Sequence, residues 1–326
     1  MASELLDETT VVPYAIAKGI VPDGPYVATF LSGGVSNAVF LIEGQQERVV
    51  VKQALSRLRV ADEWLADPAR AQAEAAAIGV LHDLSPDAVP ELLDDDPEHN
   101  ALTISAAPAH WQNWKEQLLD GVVDPGIANR LGRLLSLWHG ATDRAPLPKQ
   151  LEGPSLFEQL RLSPYFGTAG ARRPELRSAL DELAVDIRSR RRCLVLGDFS
   201  PKNVLVGDGG LWVIDLEVAH RGDPAFDVAF LLSHLAAKAL HLPDHVQEIC
   251  AAADVFITGY GDGPASGDQA HLSRVFAGLL LARVFGSSPL EYLLPAEREV
   301  LARRATLLLR SPARTIAESW KGIVGL

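Results

Sequence analysis

The chain has 326 residues, 30 basic against 42 acidic side chains for a formal net charge of −12, and 48% hydrophobic residues. That length suits two lobes or one large domain, and the acidic balance argues against nucleic acid as a partner, because phosphate contacts need a basic face. Two cysteines, Cys193 and Cys250, form neither a disulfide framework nor a metal pattern, and no run approaches the roughly eighteen apolar residues that a membrane span needs.

In chain order, the N-terminal residues 1–8 are acidic and lack an apolar signal core, so the chain is expected in the cytoplasm without a membrane partner. Residues 26–31, 37–42 and 48–53 predict three strands, broken by Ser32-Gly33-Gly34-Val35-Ser36 and by the turn Glu43-Gly44-Gln45. Asp67-Pro68 offers an N-cap with Pro at the first helical position, and the Ala-rich stretch 69–81 has high helix propensity. Residues 89–93 and 101–105 predict two more strands around an acidic turn, Asp94-Asp95-Asp96. Beyond Ala106-Ala107-Pro108-Ala109 the pattern turns helical. Residues 127–139 carry Ile127, Leu131, Leu134, Leu135 and Trp138 on one face. Further helices are expected over 174–190, 226–240, 246–258, 269–285, 295–309 and 312–320. Arg188, Arg190, Arg191 and Arg192 close one of them ahead of a strand at 193–196, where they are expected to complement the helix C-terminus and stay solvated. Pro243 interrupts the helical spacing of His234, His241 and His245, so these read as surface histidines rather than a metal site.

The residues that carry chemistry sit between two of these helices. In Leu196-Gly197-Asp198-Phe199-Ser200-Pro201-Lys202-Asn203 an Asn follows an Asp by five positions, and Val213-Ile214-Asp215-Leu216-Glu217 brings a second Asp twelve residues later. The apolar runs 204–206 and 211–214 flank Gly207-Asp208-Gly209-Gly210 and predict a hairpin, with Asn203 and Asp215 at its open end. Phosphoryl transfer needs this set: one carboxylate takes the proton of an acceptor hydroxyl, while an amide oxygen and another carboxylate hold metal on a triphosphate.

The pattern resembles the aminoglycoside phosphotransferase and choline kinase superfamily. The motifs that carry the likeness are Gly197-Asp198 with Asn203, then Ile214-Asp215-Leu216-Glu217, then Gly222-Asp223-Pro224-Ala225-Phe226-Asp227. Val51-Lys52-Gln53-Ala54-Leu55, Ser163-Pro164-Tyr165-Phe166 and Arg283 resemble its methylthioribose kinase branch, although the first Arg of that branch's Arg-Arg pair is Ala282 here. The chain departs from the superfamily at Leu196, where a His is usual, and from the branch in having Asn203.

The resemblance implies an α+β, bilobal protein-kinase-like fold. A small β-rich N-lobe (1–105) and a larger, mainly helical C-lobe (106–326) would meet at a hinge near 105–109. It implies ATP and Mg²⁺ as cofactors, Asp198 as the base, and Asn203 and Asp215 as metal ligands. Lys52 would meet the α and β phosphates with Glu74 as its ion-pair partner. Ser36 and Asn37 would close the phosphate loop, and backbone at Ser105 and Ala107 would read adenine. Lys202 would lie either by the γ-phosphate or in solvent. Glu217 would either reach a metal through water or salt-bridge within its loop. Arg283 and Asp227 are assigned to the acceptor, with two readings open: Arg283 paired to an internal carboxylate such as Asp227, and Asp227 accepting catalytic-loop backbone bonds. His139 is expected to be structural. The expected partner is a small-molecule hydroxyl acceptor (a sugar, polyol or aminoglycoside-like compound), and the expected assembly is a monomer or homodimer. Leu196 leaves a catalytically weak pseudokinase or nucleotide-binding regulator as the alternative.

Overall fold

The computed structural model describes residues 5–31, 36–58 and 64–325. The chain divides into two compact units, 1–111 with 207–218, and 112–206 with 219–326. The lobes expected from the sequence differ from these units at 106–111 and at 207–218.

The first unit is built on an antiparallel sheet of β1 (Val27–Phe30), β2 (Asn37–Glu43), β3 (Arg48–Ala54), β4 (Leu92–Asp96) and β5 (Ala101–Ser105), in the order β1-β2-β3-β5-β4. Phe40 and Ile42 of β2 and Val49 and Val51 of β3 face one core. Each such side chain contributes about 1.5–3 kcal/mol by leaving water. Against them packs a helix the sequence did not announce, α1 (Val11–Ala17), through Val11 and Ala15. At seven residues it is too short to show a period, and its place is fixed by tertiary bonds. Tyr14 Oη donates to Asp96 at 3.0 Å and Lys18 pairs with the same carboxylate at 2.7 Å. Asp94, Asp95 and Asp96 are thus not a turn but the end of β4, reached through a register shift after Leu92. The chain reverses at 97–100, where Asp96 accepts the backbone N–H groups of Glu98 and His99 and Asn100 takes φ 49°. The Ala-rich helix α2 (Arg70–Leu84) begins later than expected: Asp67 accepts from the Ala69 N–H at 3.0 Å, so Asp67-Pro68 forms the turn before it.

The second unit opens with β6 (Gln112–Asn113), α3 (Trp114–Leu119) and α4 (Pro125–Ala141). There follow α5 (Ser155–Phe157), a π-helical segment at Glu158–Gly167, α6 (Thr168–Arg172), α7 (Arg177–Ser189) and β7 (Cys193–Val195). The strand β8 (Val204–Gly207) pairs with β6. Asp208-Gly209, both with positive φ (49° and 72°), a sign suited to tight turns between strands, lead into β9 (Gly210–Val213), which belongs to the first unit. Then come β10 (His220–Gly222), antiparallel to β7, and the helices α8 (Pro224–His241), α9 (Val246–Tyr260), α10 (Gln269–Phe285), α11 (Pro295–Arg310) and α12 (Ile316–Val324).

Helices α4 and α9 touch backbone to backbone. A Cβ on Gly132 would lie 2.3 Å from the Phe256 carbonyl oxygen, and one on Gly259 would lie 2.6 Å from that of Asn129. Among the described residues no single helix is long and apolar enough to cross a membrane.

Two surface expectations change. The four arginines 188, 190, 191 and 192 each meet a carboxylate: Glu158, Asp268, Glu152 and Asp143. They tie neighbouring segments together rather than only cap α7. His234 is not on the surface but buried in α8, because that helix is apolar nearly all round and is enclosed along most of its length.

Candidate active site

In the first unit, β3 delivers Lys52 and α2 delivers Glu74 to one buried point. Lys52 Nζ lies 2.6 Å from Glu74 Oε1 and 2.9 Å from Asp215 Oδ1. Burial alone would pull the ammonium pKa down, but Asp215, Glu74 and Glu217 outweigh it and raise it. Three carboxylates around one cation leave less compensation for each. Burial accordingly pushes the Glu74 carboxyl up, Lys52 only partly offsetting it. Asp215 stands in the left-handed region at φ 64°, a conformation that costs a non-glycine residue energy and persists only where its surroundings impose it.

Glu217 forms a salt bridge, but to helix α2 and not within its own loop. Its Oε2 accepts from Asn37 Nδ2 at 2.9 Å and from Arg70 Nε at 3.0 Å. Arg70 was not singled out in the sequence. It is fully buried, donating also to the carbonyls of Leu55 (2.7 Å) and Ser36. The available signal was an arginine opening an Ala-rich helix one turn before Glu74. Asn37 and Ser36 are buried side by side, whereas Ser32, Gly33, Gly34 and Val35 of the expected phosphate loop lie outside the described residues. At the expected hinge, Ser105 N–H donates to the Glu91 carbonyl at 2.9 Å, Ala106 N–H donates to the Arg48 carbonyl, and the Arg48 guanidinium holds the Ala107 carbonyl.

In the second unit the catalytic loop is held from beneath. Asp227, in the first turn of α8, accepts the N–H groups of Leu196 (2.7 Å) and Gly197 (2.8 Å) and bonds His139 at 3.2 Å. His139 bonds Tyr260 in turn at 3.0 Å. Gly197 takes φ 74°, which favours glycine. Asp227 is fully buried with both oxygens engaged, so of its two open roles the geometry is that of loop support. Leu196 fills its place by packing, and its N–H does the anchoring. Asp223 caps α8 through the Ala225 N–H and meets His271.

Asp198 is buried beside two cations. Arg161 Nη2 lies 2.9 Å and Lys202 Nζ 2.8 Å from its Oδ2. Lys202 therefore reaches the Asp198 carboxylate, a partner the sequence reading did not consider. Arg161, also unforeseen, bonds the Gly197 carbonyl at 2.7 Å. It comes from the π-helical segment, whose irregular period gave no pattern to read. Asn203 donates its Nδ2 to the Asp198 carbonyl at 3.0 Å, which directs the amide by its nitrogen and leaves the oxygen as the end suited to a cation. Asn203 falls in the second unit and Asp215 in the first. Arg283 does not pair with Asp227; its Nη1 donates to Tyr165 Oη at 2.9 Å and Ser288 Oγ at 3.3 Å.

No group of three His, Cys, Asp or Glu able to hold a metal occurs among the described residues. One amide oxygen and one carboxylate are nonetheless the kind of donors Mg²⁺ takes when phosphates and water complete its shell, so Asn203 and Asp215 fit that ion by their chemistry.

The fold is shared with solved kinases. An amicoumacin kinase, determined with AMP-PNP, Ca²⁺ and Ami, superposes with a TM-score of 0.60 at 14% identity over 96% of this chain and 97% of that one. A choline/ethanolamine kinase family protein from Mesorhizobium loti gives 0.55 at 17% identity over 98% and 100%. These neighbours define a protein-kinase-like fold. A methylthioribose kinase of Bacillus cereus is 27% identical over 263 residues, 72% of this chain and 67% of its own length. The model of the phosphotransferase enzyme family matches residues 27–268, and the chain belongs to that family. It is a phosphotransferase acting on a hydroxyl acceptor.

Proposed function

We propose that the chain is an ATP- and Mg²⁺-dependent kinase that transfers the γ-phosphoryl group to a hydroxyl of a small sugar, polyol or aminoglycoside-like acceptor. The observation that carries this reading is Lys52 held between Glu74 and Asp215, the pairing a working nucleotide site needs. Residues 1–105 act as the nucleotide lobe, and 106–326 as the catalytic and acceptor lobe. Lys52 meets the α and β phosphates, Ser36 and Asn37 border them, and hinge backbone at Ser105 and Ala107 lies along the base. Asn203 and Asp215 would hold the metal. When bound, MgATP supplies the transferable group and neutralises its charge. Asp198 orients the acceptor hydroxyl and takes its proton, and Lys202 turns from Asp198 toward the transferred phosphoryl oxygens. Asp227 and His139 keep the loop in place without touching substrate. We place the enzyme in the cytoplasm.

The intact loop supports an enzyme over a pseudokinase, since Asp227 anchors Leu196 through its backbone, which a histidine side chain would not change. The test is thermal denaturation with ATP in Mg²⁺ and in EDTA, followed by ADP release with a panel of small alcohols. ATP is expected to raise Tm with Mg²⁺ and much less in EDTA. Equal shifts would remove the metal assignment, and no ADP release with any alcohol would count against the transfer.

A further inference from the structure

A set of basic side chains lies inside the second unit, and among the described residues none of them is salt-bridged to a carboxylate. On α8, Phe230, His234 and Lys238 recur every four residues and so share one face. Lys238 is 0% exposed, its Nζ makes no hydrogen bond, and it lies 5.1 Å from the centre of the Tyr292 ring. His234 is 5% exposed, with Nε2 equally unpartnered and its ring 5.2 Å from that of Phe230. Arg283 of α10, 8% exposed, places its guanidinium 5.9 Å from the same Phe230 ring, with Nε unpartnered, and the Tyr292 hydroxyl lacks a partner too. Among the described residues no carboxylate forms a salt bridge with His234, Lys238 or Arg283. Glu297 acts on Tyr292 and is itself paired to His241. The charges felt at Lys238 are Lys115 and Arg283, and those at His234 include Lys202, all cations.

This group adjoins the catalytic loop. Arg161, on Asp198 Oδ2, stacks over the Tyr165 and Phe230 rings (5.6 and 6.0 Å) that Arg283 also faces. Asp227, which holds Leu196 and Gly197, precedes Phe230 by one turn on α8. From Asp227 to Lys238 the helix axis runs on the order of 16 Å, and the lysine side chain leans back toward the helix N-terminus. Buried cations without an anion destabilise a fold unless they give up the proton or receive a ligand.

We propose that the acceptor carries an anionic group, a carboxylate or a phosphate, which sits against Lys238 and His234 while its hydroxyl faces Asp198. The acceptor's place rests on the reading of Asp198 as the base; the anion site itself does not. The packing is closed in this structure, so entry requires side-chain displacement at Tyr292 or Arg283.

The experiment uses matched probes on the full chain: ribose with ribose 5-phosphate, glucose with gluconate, and glycerol with glycerate. Binding is read by thermal shift without nucleotide, and turnover by ADP release with MgATP, in wild type, Lys238→Met and His234→Gln. The anionic member of at least one pair is expected to raise Tm and to show kcat/KM about tenfold or more above its neutral partner. Lys238→Met should abolish the shift and raise KM about tenfold with kcat little changed. His234→Gln serves if Lys238→Met fails to fold. Neutral probes used as well as anionic ones, an anion preference that survives in the variants, or no anionic probe bound would each overturn the proposal. Anionic probes that bind wild type and not the variants, with no phosphoryl transfer to any probe, would keep the anion site and sink the kinase reading instead.

Discussion

Asp198 shares one oxygen between Arg161 and Lys202, so its carboxylate is oriented before any acceptor arrives. Replacing it by Asn keeps the shape and removes the proton acceptor. Asp198→Asn should lower kcat about a hundred- to ten-thousand-fold while ATP affinity stays near that of wild type; near-normal turnover would take Asp198 out of the chemistry. Lys238 gives a prediction of a different kind. Burial, with Lys115 and Arg283 adding to it, pulls its pKa down to about 7, against about 10.4 in an unfolded chain. Between those values the unfolded chain binds a proton that the folded one does not, so stability rises with pH across that window and falls as pH drops through about 7. In urea titrations, Lys238→Met should exceed wild type most at about pH 6, and the gap should narrow by about pH 9. A gap that does not change with pH would show that the amine is not held neutral by the fold.

The motif-bearing elements were legible because their residues obey local rules. β3 is a run of valines leading into Lys52, α2 is Ala-rich, and the loop from Gly197 to Asn203 has fixed spacing, so Asp198 and Asn203 could be named from their spacing, and Lys52 and Glu74 from the family resemblance. What stayed hidden depends on tertiary bonds. α1 is too short to show a period, the π-helical segment that supplies Arg161 has none, and Arg70 looked like any helix-opening arginine until Glu217 and the Ser36 carbonyl closed around it. His234 was misplaced for a related reason: a helix buried on every side offers no polar face against which to read an inward histidine. The α4–α9 contact belongs to the same class. Gly132→Ala would drive a methyl into the Phe256 carbonyl, an overpacking that costs about 1–3 kcal/mol. Because α4 also carries His139 and α9 carries Tyr260, the variant should lose kcat along with Tm. Unchanged Tm would mean the helices part without cost, and unchanged kcat would mean the catalytic loop does not feel the shift.

Across the whole molecule, fold class follows from the switch between period two and period 3.6 near residue 106, and family from three motifs within about thirty residues of one another. The acceptor did not follow from either, because the contacts proposed for it come from helices whose faces are set only when they pack. The basic side chains buried in the second unit sit within a chain of net charge −12. An anionic acceptor is then repelled at long range and welcomed only at contact, the reverse of electrostatic steering. Encounter becomes the slow part of recognition, and dissolved salt lowers the barrier by screening the approach more than the buried end point. In stopped-flow measurements the association rate of an anionic acceptor should climb as ionic strength is raised from low values, whereas that of its neutral counterpart should stay flat. A chain so charged filters its ligands by endurance at the site and not by capture from afar.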